Sequence, residues 1–595
     1  MHSEIQICRR LTIGLLSCCV MWFASAQTGH AAEPRLELWQ LVPKDVGLAV
    51  EARGLSEHSR RFLTSTLFNR IEQHSAWKQL LQRPESQDLE AFQQTVKEVT
   101  QQPLLIWLEK LLGQEALLSI TPQPTGRPRA ALLLRLKEGD LPEILAAWQK
   151  LEARTETRLE HQGQAYFSRT KTEGDGDPLF YAAVNDVLIV SDQSAALIPI
   201  LDLAKDPEHR GAVQNESNFQ LTMKALHPAT VVRVFIQPAA WNAIRETRQP
   251  DAKDPVERML HRAWGRCQAL GLGVREESGL VAELVARSDD LASNPFWKKL
   301  IAKTAGAPAF LKQVPQSAIL AFAGRHDLAN ITDWVLSQIP TEGLKKLKSV
   351  RQVTNGFLLG NDLLTDILPR LPADFGGYVV PRDASELSTI PADGLLAISL
   401  PAPVDGDSKT AQQPRKTDVR SSVDNALRTG VSLLAALHNT TASDEAEIEQ
   451  VDEGGVTVHW IDSLGPIQPA YAISRDYLLL ASSPRLIRDF LTQPASKTWG
   501  AVEELQQLQA ATFADASQIV ALNGKLLGSL IRERREFLLK QLETFHKLQP
   551  DDAAKRLDRM LEWIQLSDAV VIASSLHADH LKVVLVIAVR EESGK

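Results

Sequence analysis

One stretch of the chain occurs twice, and this internal repeat restricts the folds open to the protein more than any other feature. Residues 180–201, FYAAVNDVLIVSDQSAALIPIL, align without gaps with residues 470–491, AYAISRDYLLLASSPRLIRDFL. In this alignment Tyr181 lies opposite Tyr471. Self-similarity at a fixed offset indicates an architecture built from repeated units.

Further pairs of similar segments follow one another in the same order along the chain. They are VPKDVGLAVEAR with VPQSAILAFAGR, AALLLRL with GLLAISL, and ERML with DRML. Short apolar strands resemble one another by chance, so the shared order carries more weight than any single match. The sequence therefore predicts two tandem, homologous units, residues 33–290 and 314–595, connected by a joining segment at residues 291–313.

The offset between the copies increases between the AALLLRL pair and the repeated hairpin, and one segment accounts for most of the increase. Residues 402–422, APVDGDSKTAQQPRKTDVRSS, are polar and poor in apolar side chains. Such a composition cannot bury enough apolar surface to offset the entropy of ordering the chain. We predict a disordered insert at residues 402–422 of the second unit.

The first residues have the layout of a secretory signal peptide. Arg9 and Arg10 precede the apolar stretch LTIGLLSCCVMWFA, and small residues follow it, so residues 1–32 are predicted to be removed after Ala26 or Ala32. Two alternatives stay open, an N-terminal membrane anchor and a lipoprotein signal ending at Cys18. The apolar stretch is shorter than the roughly 20 residues that span a bilayer, and it continues past Cys18, so cleavage is the favoured interpretation.

Composition narrows the classes of partner. Without residues 1–32 the chain loses two basic residues and one acidic residue, so its formal charge moves from −8 to −9. An acidic chain without a basic block argues against nucleic acid as a partner. The mature chain keeps one cysteine, Cys267, which excludes an internal disulfide. No later segment is apolar over enough consecutive residues to predict a transmembrane helix.

The hydrophobic periodicity alternates between that of strands and that of helices. VGLAVEA, the pair EALLSITP and RAALLLRLK, and LGLGVREESGLVAELVAR read as strands, whereas residues 57–112 read as helical segments. In GDLPEILAAWQKLEART, Asp140 takes the N-cap position, and Ile144, Leu145 and Trp148 form one helix face. Short turns between strands, with helices grouped between them, predict an α+β fold in which each unit has a largely antiparallel sheet flanked by helices.

Polar residues inside these patterns raise the question of a functional site. Asn185 and Asp186 fall where a two-residue hairpin loop belongs, and the second copy places Arg475 and Asp476 there. We interpret both pairs as turns. The sequence contains no nucleophile elbow, phosphate-binding loop or H-E-x-x-H motif. It therefore predicts no catalytic, cofactor-binding or metal-binding residues and no cofactor.

The chain resembles a known family in the order of several motifs. VPKDVGLAVEARGL, LLGQEALLSI and PLFYAAVNDVLIVSDQSAALIPIL are similar to an uncharacterised exported bacterial protein family, a domain of unknown function. Its members have an LPADT-like start, an LLGxEA strand and an LVLASS-like hairpin. The resemblance covers most of the first copy and, more faintly, the second. The family carries no established activity, so the resemblance implies export and no site residues.

Two classes of function follow from these observations. The first is an exported non-catalytic protein that binds an unknown protein or envelope component, or has a structural role, in the periplasm or cell envelope. The alternative is an enzyme whose site lies in a cleft between the two repeat units and is built from residues scattered in sequence. The sequence leaves the oligomeric state open.

Overall fold

The structure, a computed structural model, describes most of the chain. The described residues are 36–82, 93–151, 154–171, 177–246, 261, 263–277, 279–304, 306–339, 343, 351–382, 391–403, 418–441, 445–462, 467–499 and 513–589. The predicted signal peptide at residues 1–32 lies outside them.

Strands account for the framework of the protein. The first ten are β1 Leu48–Arg53, β2 Glu115–Thr121, β3 Arg129–Arg135, β4 Arg154–His161, β5 Gln164–Lys171, β6 Leu179–Val184, β7 Val187–Ser191, β8 Val232–Ile236, β9 Ala269–Glu277 and β10 Gly279–Arg287. The others are β11 Leu320–Arg325, β12 Asp374–Pro381, β13 Ala392–Ser399, β14 Ile448–Glu453, β15 Val456–Ile461, β16 Ala470–Ile473, β17 Tyr477–Ala481, β18 Gln518–Asn523, β19 Ala569–Leu576 and β20 His580–Ala588.

Helices are distributed along the whole chain. Those before residue 290 are α1 Leu55–Thr64, α2 Thr66–Gln73, α3 Ser75–Leu81, α4 Leu104–Leu112, α5 Asp140–Leu151, α6 Ser194–Lys205, α7 Ser217–Ala225 and α8 Asn242–Glu246. Those that follow are α9 Asp290–Ser293, α10 Pro295–Lys303, α11 Leu328–Gln338, α12 Val419–Thr441, α13 Pro484–Thr492, α14 Gly524–Glu533, α15 Arg535–His546 and α16 Pro550–Gln565. Tight 3₁₀ turns at Leu38–Leu41 and Ala309–Gln313 precede β1 and β11.

The chain divides into two compact units. The first comprises Met1–Asp290 together with Asp579–Lys595, and the second comprises Leu291–Ala578. The C-terminal strand β20 therefore belongs with the first unit, where it pairs with β10. The sequence predicts residues 314–595 as one unit, whereas in the structure Asp579–Lys595 group with the first unit.

The first unit is built on an antiparallel sheet with helices on both faces. Its strands are paired in the order β4-β5-β6-β7-β3-β2-β1-β8-β9-β10-β20. On one face the 3₁₀ turn Leu38–Leu41, α6 and α7 cover a core that includes Ala49, Leu117 and Phe235. On the other face α4 and α5 pack against Leu134 and Tyr181.

The second unit has its own antiparallel sheet. Its strands are paired in the order β14-β15-β16-β17-β13-β12-β11-β18-β19. Phe310, Leu395 and Leu479 belong to the core on the α13 side. Small clusters beside α12 contain Ala435 and Ile461. The predicted α+β class with a largely antiparallel sheet and flanking helices is thus confirmed.

Local sequence patterns account for many of these elements. The strand pairs predicted for EALLSITP with RAALLLRLK and for LGLGVREESGLVAELVAR are β2–β3 and β9–β10. Helix α5 presents Ile144, Leu145 and Trp148 to one cluster, as predicted, although Asp140 begins the helix and does not precede it. Helix ends commonly differ by a residue between a pattern and a structure.

Two sequence interpretations were wrong in part. The predicted disordered insert extended to residue 422, but Val419 and Ser422 lie in α12, where both are buried; residues 404–417 lie outside the described residues. The sequence of residues 532–549, RERREFLLKQLETFHKLQ, predicts one charged helix with Leu538, Leu539, Leu542 and Phe545 on one side. In the structure the chain breaks at Arg534 between α14 and α15, and Phe545 is 77% exposed.

Candidate functional site

The repeated hairpins form turns, as the sequence predicts. Val184 pairs with Val187 across the loop, and Asn185 has a φ of 54°, a left-handed conformation that asparagine tolerates. Across the second loop, the Tyr477 backbone N–H donates to Ser474 Oγ at 3.0 Å. Among the described residues, no group of three or more His, Cys, Asp or Glu side chains is arranged to hold a metal ion.

Asp186 nevertheless has a partner that sequence reasoning missed. Arg135, from β3, donates to Asp186 Oδ2 from Nη1 at 2.8 Å and to Glu115 Oε2 from Nε at 2.8 Å. It also donates to the carbonyl oxygen of Leu36. Burial alone would lower the pKa of Arg135, but the bonds to Glu115 and Asp186 outweigh it and raise that pKa. The guanidinium of Arg135 on β3 thus connects β2, the loop between β6 and β7, and the segment at Leu36 that leads into the first unit.

The ion pairs continue across the sheet from Glu115. Arg53 Nε lies 3.2 Å from Glu115 Oε1, and Arg53 Nη2 donates to Glu51 Oε1 at 2.9 Å. On the far side of Glu51, Arg233 Nη1 lies 3.9 Å from Glu51 Oε2. We call this set the charge row: Glu51, Arg53, Glu115, Arg135, Asp186 and Arg233.

Strand register brings the charge row together. Arg53 pairs with Glu115 between β1 and β2, Glu115 pairs with Arg135 between β2 and β3, and Glu51 pairs with Arg233 between β1 and β8. Alternation along β1 places Glu51 and Arg53 on the same face as Ala49, which belongs to the core under α6 and α7. The charge row is therefore the polar end of an otherwise apolar sheet face.

Glu51 is the most enclosed member of the charge row. Its side chain is fully buried, and Oε2 has no hydrogen-bond partner of good geometry. The buried Nε1 of Trp39 lacks one as well, although the indole is close enough to act on the carboxylate. Burial raises the pKa of Glu51 to about 7, and this effect outweighs the lowering by Arg53. Because burying an ion costs several kcal/mol, a single bonded arginine does not fully compensate the charge.

A second buried ion pair lies further along the same sheet. Arg275 Nη1 donates to Glu283 Oε1 at 2.5 Å and Arg275 Nε donates to Glu277 Oε1 at 2.8 Å. Glu283 Oε2 also accepts the backbone N–H of His227 at 2.8 Å, and Lys582 Nζ lies 3.6 Å from Oε1. Every oxygen of Glu283 therefore has a donor, in contrast to Glu51, and we assign this pair to stability.

A shallow depression with a cavity volume of about 10 Å³ lies beside the start of α6. Asp45, Ser119 and Arg129 are among its lining residues. Its volume is far below the roughly 300–1,000 Å³ of ordinary small-molecule sites, and Arg129 is already paired with Asp45 at 3.0 Å. The depression does not have the dimensions of an active site.

The second unit exposes an apolar sheet surface. Val520 of β18 is in register with Phe322 of β11 and Ile572 of β19, so the three side chains share one face. Val520 is 43% exposed and Ile572 is 45% exposed. We call these three residues the apolar face. Contiguous apolar surface that remains exposed often marks a site of protein interaction.

The first unit covers a comparable surface. Val50 and Val234 are in register between β1 and β8, as Phe322 and Val520 are between β11 and β18. Leu108 and Leu112 of α4 pack against the buried pair Ala52 and Val232, in the cluster that also includes Val50 and Val234. A similar arrangement of strands thus carries a helix in one unit and exposed side chains in the other.

No family model, no curated protein and no solved structure matches the chain. Within the described residues, no helix combines the length and apolar composition needed to cross a bilayer. Cys267 is a free, half-buried thiol.

Proposed function

We propose that the protein is an exported, non-catalytic protein that binds a partner protein in the periplasm or cell envelope. The observation that carries this proposal is the apolar face. A strand that faces water ordinarily alternates apolar with polar residues, but Val520 and Ile572 occupy outward positions of β18 and β19 with large exposed fractions. Burying such side chains in an interface contributes favourable free energy of about 25 cal/mol per Å² of apolar area.

Site-specific photocrosslinking in the native host tests this function. A photoreactive amino acid in place of Val520 should give a crosslinked product with an envelope protein, because the apolar face is the surface that the partner would cover. The change Ile572→Glu should abolish the product, since it places a charge in the centre of the interface. Gln518→Glu is the matched control, because Gln518 is exposed on the same face of β18 and already polar.

Two outcomes would overturn the proposal. One is the absence of a crosslinked partner in cells that contain folded, exported protein. The other is a product that persists in Ile572→Glu, because contact would then not depend on the apolar face. Circular dichroism of both variants shows whether each retains the native fold.

We also propose that residues 1–32 are a cleaved signal peptide and that the chain belongs with the exported bacterial proteins it resembles. Arg9, Arg10 and the apolar stretch that follows support this. Sequencing the N terminus of protein from the native host should give a start after Ala26 or Ala32. Recovery of intact Met1, or recovery from the cytoplasm alone, would contradict export.

We further propose that the two units arose by duplication. The order of strand pairing supports this, since β4-β5-β6-β7-β3-β2-β1-β8-β9 and β14-β15-β16-β17-β13-β12-β11-β18-β19 follow the same scheme. Tyr181 pairs with Phe167 on β5, and Tyr471 pairs with His459 on β15. The bridge from Pro43 to Ala212 has a counterpart from Pro315 to Thr498.

A further inference from the structure

Glu51 differs from the other buried acids because its surroundings favour the protonated carboxyl as well as the carboxylate paired with arginine. Oε1 accepts one hydrogen bond from Arg53, whereas Oε2 is buried without a hydrogen bond of good geometry, and the Trp39 indole beside the carboxylate lowers its pKa less than burial raises it. Arg233 approaches Oε2 only to 3.9 Å, beyond hydrogen-bond distance. A protonated carboxyl carries no net charge, so it removes the cost of leaving the second oxygen uncompensated.

The groups that face Glu51 come from every element packed against it. They are Arg53 on β1, Glu115 on β2, Arg233 on β8, and Trp39 on the 3₁₀ turn Leu38–Leu41. Arg135 and Asp186 influence Glu51 only indirectly, through their interactions with Glu115. Glu37 raises the pKa values of Arg53 and Arg233 by electrostatic attraction. With Glu51 ionised, the charge row holds three acids and three arginines; with Glu51 protonated, one positive charge is in excess. Enclosure of the carboxylate is the stronger effect, as the direction of its pKa indicates.

The 3₁₀ turn Leu38–Leu41 is the element placed to respond. Leu38, Trp39 and Leu41 are all buried, and the Leu36 carbonyl oxygen is held by Arg135. When Glu51 ionises, Oε2 requires a closer donor than Arg233 at 3.9 Å, and water can supply one if this turn lifts from the sheet. Lifting also breaks the contact of Trp39 with Phe219, whose ring centroids are 4.7 Å apart.

We propose that Glu51 is a proton-binding site that controls the packing of the 3₁₀ turn Leu38–Leu41 against the first unit. Protonation of Glu51 stabilises this packing, so the turn opens less often as the pH falls. The ligand is a proton, and the responsive element is the segment that enters the unit. The second unit provides a natural comparison, because Ala323 pairs with Gly376 and Ile519 at the corresponding register of β11 and cannot ionise.

The direction of the pH effect follows from the two states. The ordinary pKa of a glutamate side chain is 4.5, and burial raises the pKa of Glu51 to about 7 in the folded protein, so the folded state binds the proton more tightly. The resulting stabilisation is complete below pH 4.5 and is lost as the pH rises through about 7. Between pH 5 and pH 8 the equilibrium constant for opening should therefore increase by about one to two orders of magnitude.

Hydrogen–deuterium exchange of the whole chain, followed by mass spectrometry and corrected for intrinsic exchange rates, tests the proposal. Peptides that contain Leu38–Leu41 should become tens of times less protected between pH 5 and pH 8, whereas β1, which is paired with β2 and β8 on its two sides, should keep its protection. In Glu51→Gln, which has a neutral amide of the same shape, this dependence should disappear. Peptides from β11 and β12 are the control within the same sample, and their protection should change far less.

The wild-type series alone can overturn the proposal, so the result does not depend on the variant folding. Protection of Leu38–Leu41 that stays constant from pH 5 to pH 8 would exclude a proton-controlled turn. Protection that changes equally in Glu51→Gln would assign the effect to another group. Glu115→Gln is the second variant. Protection of Leu38–Leu41 should still depend on pH in this variant, because Glu51 remains titratable.

Discussion

Replacing Arg275 by methionine should destabilise the first unit by about 3–5 kcal/mol, because the change leaves a buried carboxylate without its main partner. Arg275 and Glu283 are 1% and 2% exposed, and their atoms approach to 2.5 Å. The His227 N–H and Lys582 remain near Glu283, so we expect the lower half of that range. Denaturant-dependent hydrogen exchange of β9 and β10 peptides measures the change in the free energy of unfolding.

Two further variants distinguish charge from packing. Arg210→Met removes two ion pairs, with Asp206 and Glu208, in which the arginine is 77% exposed, so it should cost less than about 1 kcal/mol. Adding Glu283→Gln to Arg275→Met should recover part of the loss, because the uncompensated charge is then gone. If Arg275→Met costs no more than Arg210→Met, the buried pair does not stabilise the unit as argued.

The buried pairs also show the limits of prediction from this sequence. The hairpin β9–β10 was predictable, because LGLGVREESGLVAELVAR alternates over its full length and turns at Gly279. The same alternation makes Arg275 and Glu283 look like ordinary polar residues of a strand. Their burial results from packing by other elements, including the loop at His227 and the distant strand β20, which no local pattern reports.

The charge row was hidden for a related reason. Glu51, Glu115 and Arg135 are separated by many residues in sequence, and strand register alone brings them together. One signal was available, since Glu51 has the same parity as the buried Ala49 along β1. An acid at an inward position of an apolar strand indicates a paired or protonated carboxyl. Predicting the apolar face requires knowing which strands are covered by a helix, and sequence periodicity does not supply that information.

The second large effect is expected in the core of the second unit, at Phe310. This side chain is fully buried, and its ring centroid lies 6.3 Å from that of Tyr378, 6.0 Å from that of Tyr477 and 6.2 Å from that of Phe490. Phe310→Ala should cost about 3–5 kcal/mol, the sum of lost transfer free energy and the cavity left behind. Exchange of β12 and β13 peptides measures it, and β2 and β3 peptides of the first unit should be unchanged.

Gly376 allows this packing to be tested by a double-mutant cycle. A Cβ atom added to Gly376 would lie 2.1 Å from Cδ1 of Phe310, so Gly376→Ala alone should destabilise the second unit by about 1–3 kcal/mol through overpacking. In the Phe310→Ala background the same methyl group enters the vacated space, and its cost should shrink or change sign. Residues in contact commonly show coupling energies of about 0.5–3 kcal/mol. Additive effects of the two substitutions would mean that Gly376 is not required by the Phe310 ring, and the close approach of strand β12 to the 3₁₀ turn Ala309–Gln313 would need another cause.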